Sequence, residues 1–149
     1  MDYCELVSYQ KARAVTRGIH SMVKSWPQTY SNQGICRQLF RAASSIGANI
    51  AEGHGRHIGR EYVHYLIIAQ GSANEVDHWL HTAMDCGLGD TKQVQEIIQL
   101  NNETRRILAK TISTLSQETR KSLRETPDPY TPNPFTPLPS IDDSNIEDL

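Results

Sequence analysis

The fold is decided by residues 41–56, Arg41-Ala42-Ala43-Ser44-Ser45-Ile46-Gly47-Ala48-Asn49-Ile50-Ala51-Glu52-Gly53-His54-Gly55-Arg56. Leu39, Ala43, Ile46 and Ile50 recur at steps of four, three and four, which puts them on one face of a helix. Around that thin apolar stripe the residues are small: Ala42, Ser44, Ser45, Gly47, Ala48 and Ala51. Small side chains let a neighbouring helix come close, but the serines and glycine among them weaken the helix, Gly47 alone costing about 1 kcal/mol relative to Ala. A helix that is weak alone and closely approachable reads as the central element of a bundle.

Upstream, Val7, Ala12, Val15, Ile19, Met22, Val23 and Trp26 give a first helix from about Cys4 to Trp26, ended by Pro27. Asn32 is a suitable N-cap for the second helix, read as about 32–53. Gly53 and Gly55 are expected to supply its left-handed C-cap. The segment Gly53 to Arg60 then reads as a flexible, basic, glycine-rich connection; it lacks the Lys-Ser/Thr ending and the preceding strand of a phosphate loop.

The third helix, about Arg60 to Asp85, carries the stripe Tyr62, Leu66, Ala69, Ala73, Val76, Leu80 and Ala83. Val63, Tyr65, Ile67 and Ile68 exceed what one buried stripe needs, and imply either a second buried surface such as a subunit contact or a wide stripe within the bundle. Cys86-Gly87-Leu88-Gly89 closes this helix, and Asp90 or Thr91 caps the fourth. Val94, Ile97, Ile98, Leu100, Thr104, Ile107, Leu108, Ile112 and Leu115 mark that fourth helix. Running from Thr91 to Arg124 it would reach roughly 50 Å, so its last turns, with Arg120, Lys121 and Arg124, are expected to fray or project. The fold class expected is all-α, an antiparallel up-down-up-down four-helix bundle over residues 1–124.

The net charge of −2 hides an asymmetry. All fifteen Lys and Arg lie within residues 1–124 with eleven Asp and Glu, a net +4, whereas residues 125–149 hold six acids and no base. That second segment also holds six of the seven prolines, at Pro127, Pro129, Pro132, Pro134, Pro137 and Pro139, and is expected to be a disordered, extended acidic tail. Such a tail solubilises, docks a partner, or shields a basic surface. Cys4, Cys36 and Cys86 show no paired spacing, which favours a reducing compartment over a disulfide framework or a zinc site. No stretch approaches the roughly 18 apolar residues of a membrane span, and the start Met-Asp-Tyr-Cys-Glu has no leader pattern; a cytoplasmic protein with no membrane partner is expected.

Glu61-x-x-His64 and Glu75-x-x-His78 match the spacing of di-iron ligands, but both lie on the third helix about 21 Å apart. No metal, no other cofactor and no catalytic residue is therefore expected, and no nucleophile is paired with a base. Asn49, Glu52 and Glu75 read as buried polar groups that fix the bundle's register. The best functional surface is basic: Arg37 and Arg41 one turn apart, Arg56 and Arg60 flanking the glycine-rich link, and Arg105, Arg106 and Lys110 on the fourth helix. Repeated around an oligomer, such patches form a positive field able to hold phosphate backbone without reading bases.

The run Arg41 to Arg56, with Glu61-Tyr62, Tyr65-Leu66 and Ala69-x-Gly71-Ser72-x-x-Glu75 downstream, resembles the 23S-rRNA intervening-sequence protein family of bacterial four-helix bundles. Gly47 stands where that family usually carries Pro. The resemblance implies a closed homopentamer, and with it a non-enzymatic binding or scaffolding protein for RNA or a nucleic-acid-associated complex. A related group of pentameric bundles, the accessory variability determinants of diversity-generating retroelements, implies an alternative partner, a reverse transcriptase with nucleic acid. A protein-only hub using the tail is the third reading.

Overall fold

A computed structural model describes residues 2–56 and 59–125, with side chains placed as far as Ser122. The acidic tail expected beyond Glu125, and His57 and Ile58, lie outside the described residues. A 3-10 turn at Tyr3–Glu5, capped by Asp2, precedes four α-helices: α1 (Val7–Val23), α2 (Tyr30–Arg56), α3 (Gly59–Asp85) and α4 (Thr91–Glu125). Each helix packs against its two neighbours around a square, and the backbones of the diagonal pairs stay more than 8 Å apart among the described residues. Cross-helix pairs run antiparallel at every seam. Thr16 meets Ala43 between α1 and α2, Ser45 meets Ser72 between α2 and α3, Asn101 meets Ala73 between α3 and α4, and Lys11 meets Glu103 between α1 and α4. The described residues form an all-α, up-down-up-down four-helix bundle.

The core follows the stripes. Ala12, Val15, Ile19 and Met22 from α1 meet Leu39, Ala43, Ile46 and Ile50 from α2, with Leu66, Ala69, Ala73, Val76, Leu80 and Ala83 from α3 and Val94, Ile97 and Leu108 from α4. Val7 is exposed and Ser8 buried in its place, because the first turn of α1 approaches the core one residue later than the apolar pattern suggests. Ile67 and Ile68 remain exposed on a single copy of the chain.

Helix boundaries differ from expectation in two places. Thr29, not Asn32, caps α2: its hydroxyl accepts from the Asn32 amide at 3.3 Å, while Asn32 Nδ2 donates back to the Pro27 carbonyl. Gly53 and Gly55 are not C-caps, since α2 continues through both to Arg56 and α3 begins at Gly59. Gly53 is buried against α3, where an added Cβ would lie 2.8 Å from Tyr65 Cβ and 3.0 Å from Tyr62 Cδ2. Its missing side chain serves a close helix approach rather than a left-handed turn. Burial in the same seam raises the Tyr62 phenol above its usual range.

Left-handed glycines do close α3. Gly87, at φ 65°, forms a Schellman end in which its amide donates to the Met84 carbonyl and the Leu88 amide donates to Ala83. Leu88 is carried into the core by this turn. Gly89, at φ 77°, lies so close to the Trp26 indole that a Cβ there would stand 2.7 Å from Nε1. Asp90 caps α4, its carboxylate accepting from the Gln93 amide at 3.0 Å. At 35 residues α4 is eight longer than α3, and it stays helical to Glu125 rather than fraying.

The α1–α4 seam carries a half-exposed ion pair. Lys11 Nζ donates to Glu103 Oε2 at 2.7 Å between α1 and α4. That hydrogen bond, and the Lys11 charge with it, holds the Glu103 carboxyl below its ordinary value. A depressed carboxylate stabilises the fold above its unfolded pKa and ceases to do so as pH falls through the folded one. Thermal melts of the native chain and Glu103→Gln should therefore differ at neutral pH and converge in acid. A gap that persists after Glu103 is protonated would show that packing, not charge, holds this seam.

Candidate nucleic-acid interface

The basic residues of α4 border an open groove between α3 and α4 of about 650 Å³, lined by Gln70, Asn74, Asn102, Arg105, Arg106 and Ala109. Asn102 organises it from the middle. Its Oδ1 accepts from Arg105 Nη1 at 3.1 Å, and its backbone carbonyl accepts from Arg106 Nε at 3.4 Å. Arg105 also stands 3.7 Å from Asp77 Oδ2 across the groove, which fixes the guanidinium but offsets part of its charge. Arg106 is exposed, and exposed Lys110 follows one turn along α4. Two guanidinium forks beside three carboxamides provide donors for phosphate oxygens and mixed donors and acceptors for sugar hydroxyls.

The structure brings Arg60 together with a residue that the sequence reading left off the candidate surface. At the far end of the same seam, Arg60 and Arg120 line a hollow of about 290 Å³ with Val63, Ser116 and Thr119. The continuation of α4 places Arg120 there: Thr119 Oγ1 lies 3.1 Å from where a Gly59 Cβ would be. The α3–α4 seam therefore presents Arg105, Arg106 and Lys110 near its middle and Arg60 and Arg120 toward its end.

Arg41 and Arg56 are arranged differently. Arg41 Nη2 donates to Glu75 Oε1 at 2.6 Å, and its Nε to Gln38 at 3.2 Å. Arg56 donates twice to Glu52 Oε1, at 3.0 and 2.6 Å, and lies 5.7 Å from the centre of the Tyr65 ring. Solvent screens both pairs, so phosphate can exchange with the carboxylates, but the local charge is already balanced. Arg37 is exposed one turn before Arg41 on α2, away from the α3–α4 groove.

A buried polar side chain that joins two helices is one the sequence reading passed over. Asn101 is fully buried on α4, its Nδ2 donating to the Ala73 carbonyl of α3 at 2.8 Å and its Oδ1 without a partner. Ile97, Asn101, Thr104 and Leu108 step by four, three and four, so its place in the buried stripe was available in the spacing. Among the residues assigned that role, Glu52 is exposed and paired within its own helix, and Glu75 is half-buried, joining Arg41 to α3 and accepting from Trp79 Nε1 at 3.4 Å. Asn49 donates to the Ser45 carbonyl and hydroxyl, and Ser45 in turn meets Ser72 on α3 at 3.1 Å.

Arg13 and Arg17, one turn apart on α1, were also missed. They line a shallow hollow of about 250 Å³ with Tyr9, Thr16, Ser44, Gly47, Ala48 and Ala51. Their signal was positional: an i,i+4 basic pair facing the small-residue side of α2. Among the described residues no group of three His, Cys, Asp or Glu side chains is placed to hold a metal ion, and no helix is long and apolar enough to cross a membrane.

The family model described as 23S rRNA-intervening sequence protein matches residues 4–110. A solved structure from Bacteroides thetaiotaomicron VPI-5482, described as a protein of unknown function from the S23 ribosomal protein family, is 25% identical. It superposes with a TM-score of 0.63 over 71% of this chain and 98% of that one. No curated protein matches the chain. The family match spans Arg105, Arg106 and Lys110 and stops there, so the Arg120 end of α4 lies beyond it.

Proposed function

The chain belongs to the 23S rRNA-intervening sequence protein family, and from that membership we propose that it is a non-enzymatic, oligomeric scaffold that holds structured RNA by its phosphate backbone. The carrying observation is the α3–α4 groove, where Arg105 and Arg106 stand beside the carboxamides of Gln70, Asn74 and Asn102. An open groove lined by guanidinium groups and carboxamides suits phosphates and hydroxyls, so the binding is largely electrostatic and sensitive to salt. Self-association is supported by Ile67 and Ile68, two large apolar side chains exposed side by side on α3. The ring expected by resemblance is a homopentamer, and around it each copy's groove adds to one positive field.

Light-scattering mass followed by titration with a fluorescent RNA hairpin tests both parts. With about three phosphates neutralised per hairpin, raising salt fourfold is expected to weaken binding roughly twentyfold to fortyfold. The double variant Arg105→Gln/Arg106→Gln should lower the slope of log affinity against log salt by about one to two. Salt-insensitive binding, or an unchanged slope in a folded double variant, would remove the groove from the interface.

A further inference from the structure

We propose that the acidic segment 142–148, carried by residues 126–141, docks on the α3–α4 groove of its own chain and competes there with nucleic acid. This inference rests on the RNA-binding reading for its consequence, although the docking itself does not need RNA.

Charge complementarity is the first argument. The segment holds Asp142, Asp143, Glu147 and Asp148, with no Lys or Arg anywhere after Arg124. The groove offers Arg105 and Arg106, with Lys110 one turn further along α4. Its carboxamides, Gln70, Asn74 and Asn102, donate to carboxylates as readily as to phosphates. A carboxylate-rich peptide and a phosphate backbone thus present overlapping chemistry to the same donors.

Reach is the second argument. From Glu125 back to Arg106 is 19 residues of helix, about 29 Å at the helical rise. Residues 126–141 contain all six prolines of this part of the chain, and sixteen residues at the polyproline rise span about 50 Å. The tether is therefore long enough to turn back and set the acids against the middle of α4. It is too short to make that contact negligible by dilution, because such tethers hold their cargo at an effective concentration on the order of 1 mM. A weak contact with a dissociation constant on the order of 0.1 mM then lowers the apparent RNA affinity about tenfold.

Two measurements on the full chain separate the docking from the function. The first is zero-length carbodiimide crosslinking read by mass spectrometry, which joins Lys110 to a carboxylate in contact with it. A Lys110 crosslink to residues 142–148 is expected, reduced severalfold in Arg105→Gln/Arg106→Gln, which keeps both reacting groups. The second is the RNA hairpin titration with Asp142→Asn/Asp143→Asn/Glu147→Gln/Asp148→Asn, expected to bind about tenfold tighter at low salt and to converge with the native chain at high salt. An arginine-dependent crosslink with no RNA binding by either chain would uphold the docking and overturn the RNA reading. Equal RNA binding by both chains, without the arginine-dependent crosslink, would overturn the docking alone. Crosslinks mainly between isotope-labelled and unlabelled copies of the chain, in a sample refolded from their mixture, would place the segment on a second copy and overturn docking within one chain.

Discussion

Asn101→Asp is expected to fold at low pH and to lose roughly 3–5 kcal/mol of stability by pH 7, a large part of what a domain of this size possesses. Asn101 is fully buried, and its side chain makes a hydrogen bond by donation from Nδ2 to the Ala73 carbonyl. A protonated Asp keeps that contact by donating from its own hydroxyl. An ionised one sets a carboxylate oxygen against the Ala73 carbonyl oxygen in an apolar core. Burial must raise the folded pKa above the unfolded value of about 3.9. Below the unfolded pKa the group is neutral in both states and costs nothing by charge, and the loss grows as pH climbs toward the folded pKa. Denaturant melts of native and variant chains from pH 4 to 8 read this directly. Asn101→Leu separates charge from shape. It removes the unpartnered Oδ1 together with the donor and should stay within about 1.5 kcal/mol of the native chain at every pH. A pH-independent loss in Asn101→Asp would mean that water reaches this position.

Gly53→Ala and Gly34→Ala, the same change on the same helix, are expected to shift stability in opposite directions. At Gly34 nothing lies within 4 Å of the added Cβ, so only the backbone term acts and the helix gains about 0.5–1 kcal/mol. At Gly53 the same gain is opposed by contact 2.8 Å from Tyr65 Cβ, an atom tied to the α3 backbone that cannot swing aside. Overpacking of this kind costs about 1–3 kcal/mol, which exceeds the propensity gain. Gly53→Leu should cost more than Gly53→Ala and loosen the α2–α3 seam as a whole, with faster amide exchange along both helices. Equal stabilisation at Gly34 and Gly53 would show that α2 and α3 do not approach as closely as Tyr62 and Tyr65 require.

Much of the bundle could be read from periodicity because a buried helical face repeats its apolar residues every three or four positions whatever it packs against. The stripes of α2 and α3 were placed residue by residue, and the glycine turn at Cys86–Gly89 was recognised because positive φ leaves a compositional mark. Gly53 was misread for the same reason. A glycine required by a left-handed turn and one required by a neighbour's side chain are identical in sequence, and only the position of Tyr65 tells them apart. The basic clusters show the same division. Arg105 and Arg106 were legible as charge, but whether each charge is free or spent on a carboxylate was not: Arg41 meets Glu75 from 34 positions away in sequence, and Arg60 meets Arg120 in one hollow from sixty positions away.

The sequence by itself determined the helical class, the order of the four helices, their apolar faces and the separation of a basic body from an acidic segment, since all of these depend on local spacing and composition. Tertiary structure decided which polar residue is buried, which glycine is a contact and which arginines share a groove. Those properties depend on how close two helices come, and interhelical distance is set by the facing side chains together, not by either helix alone.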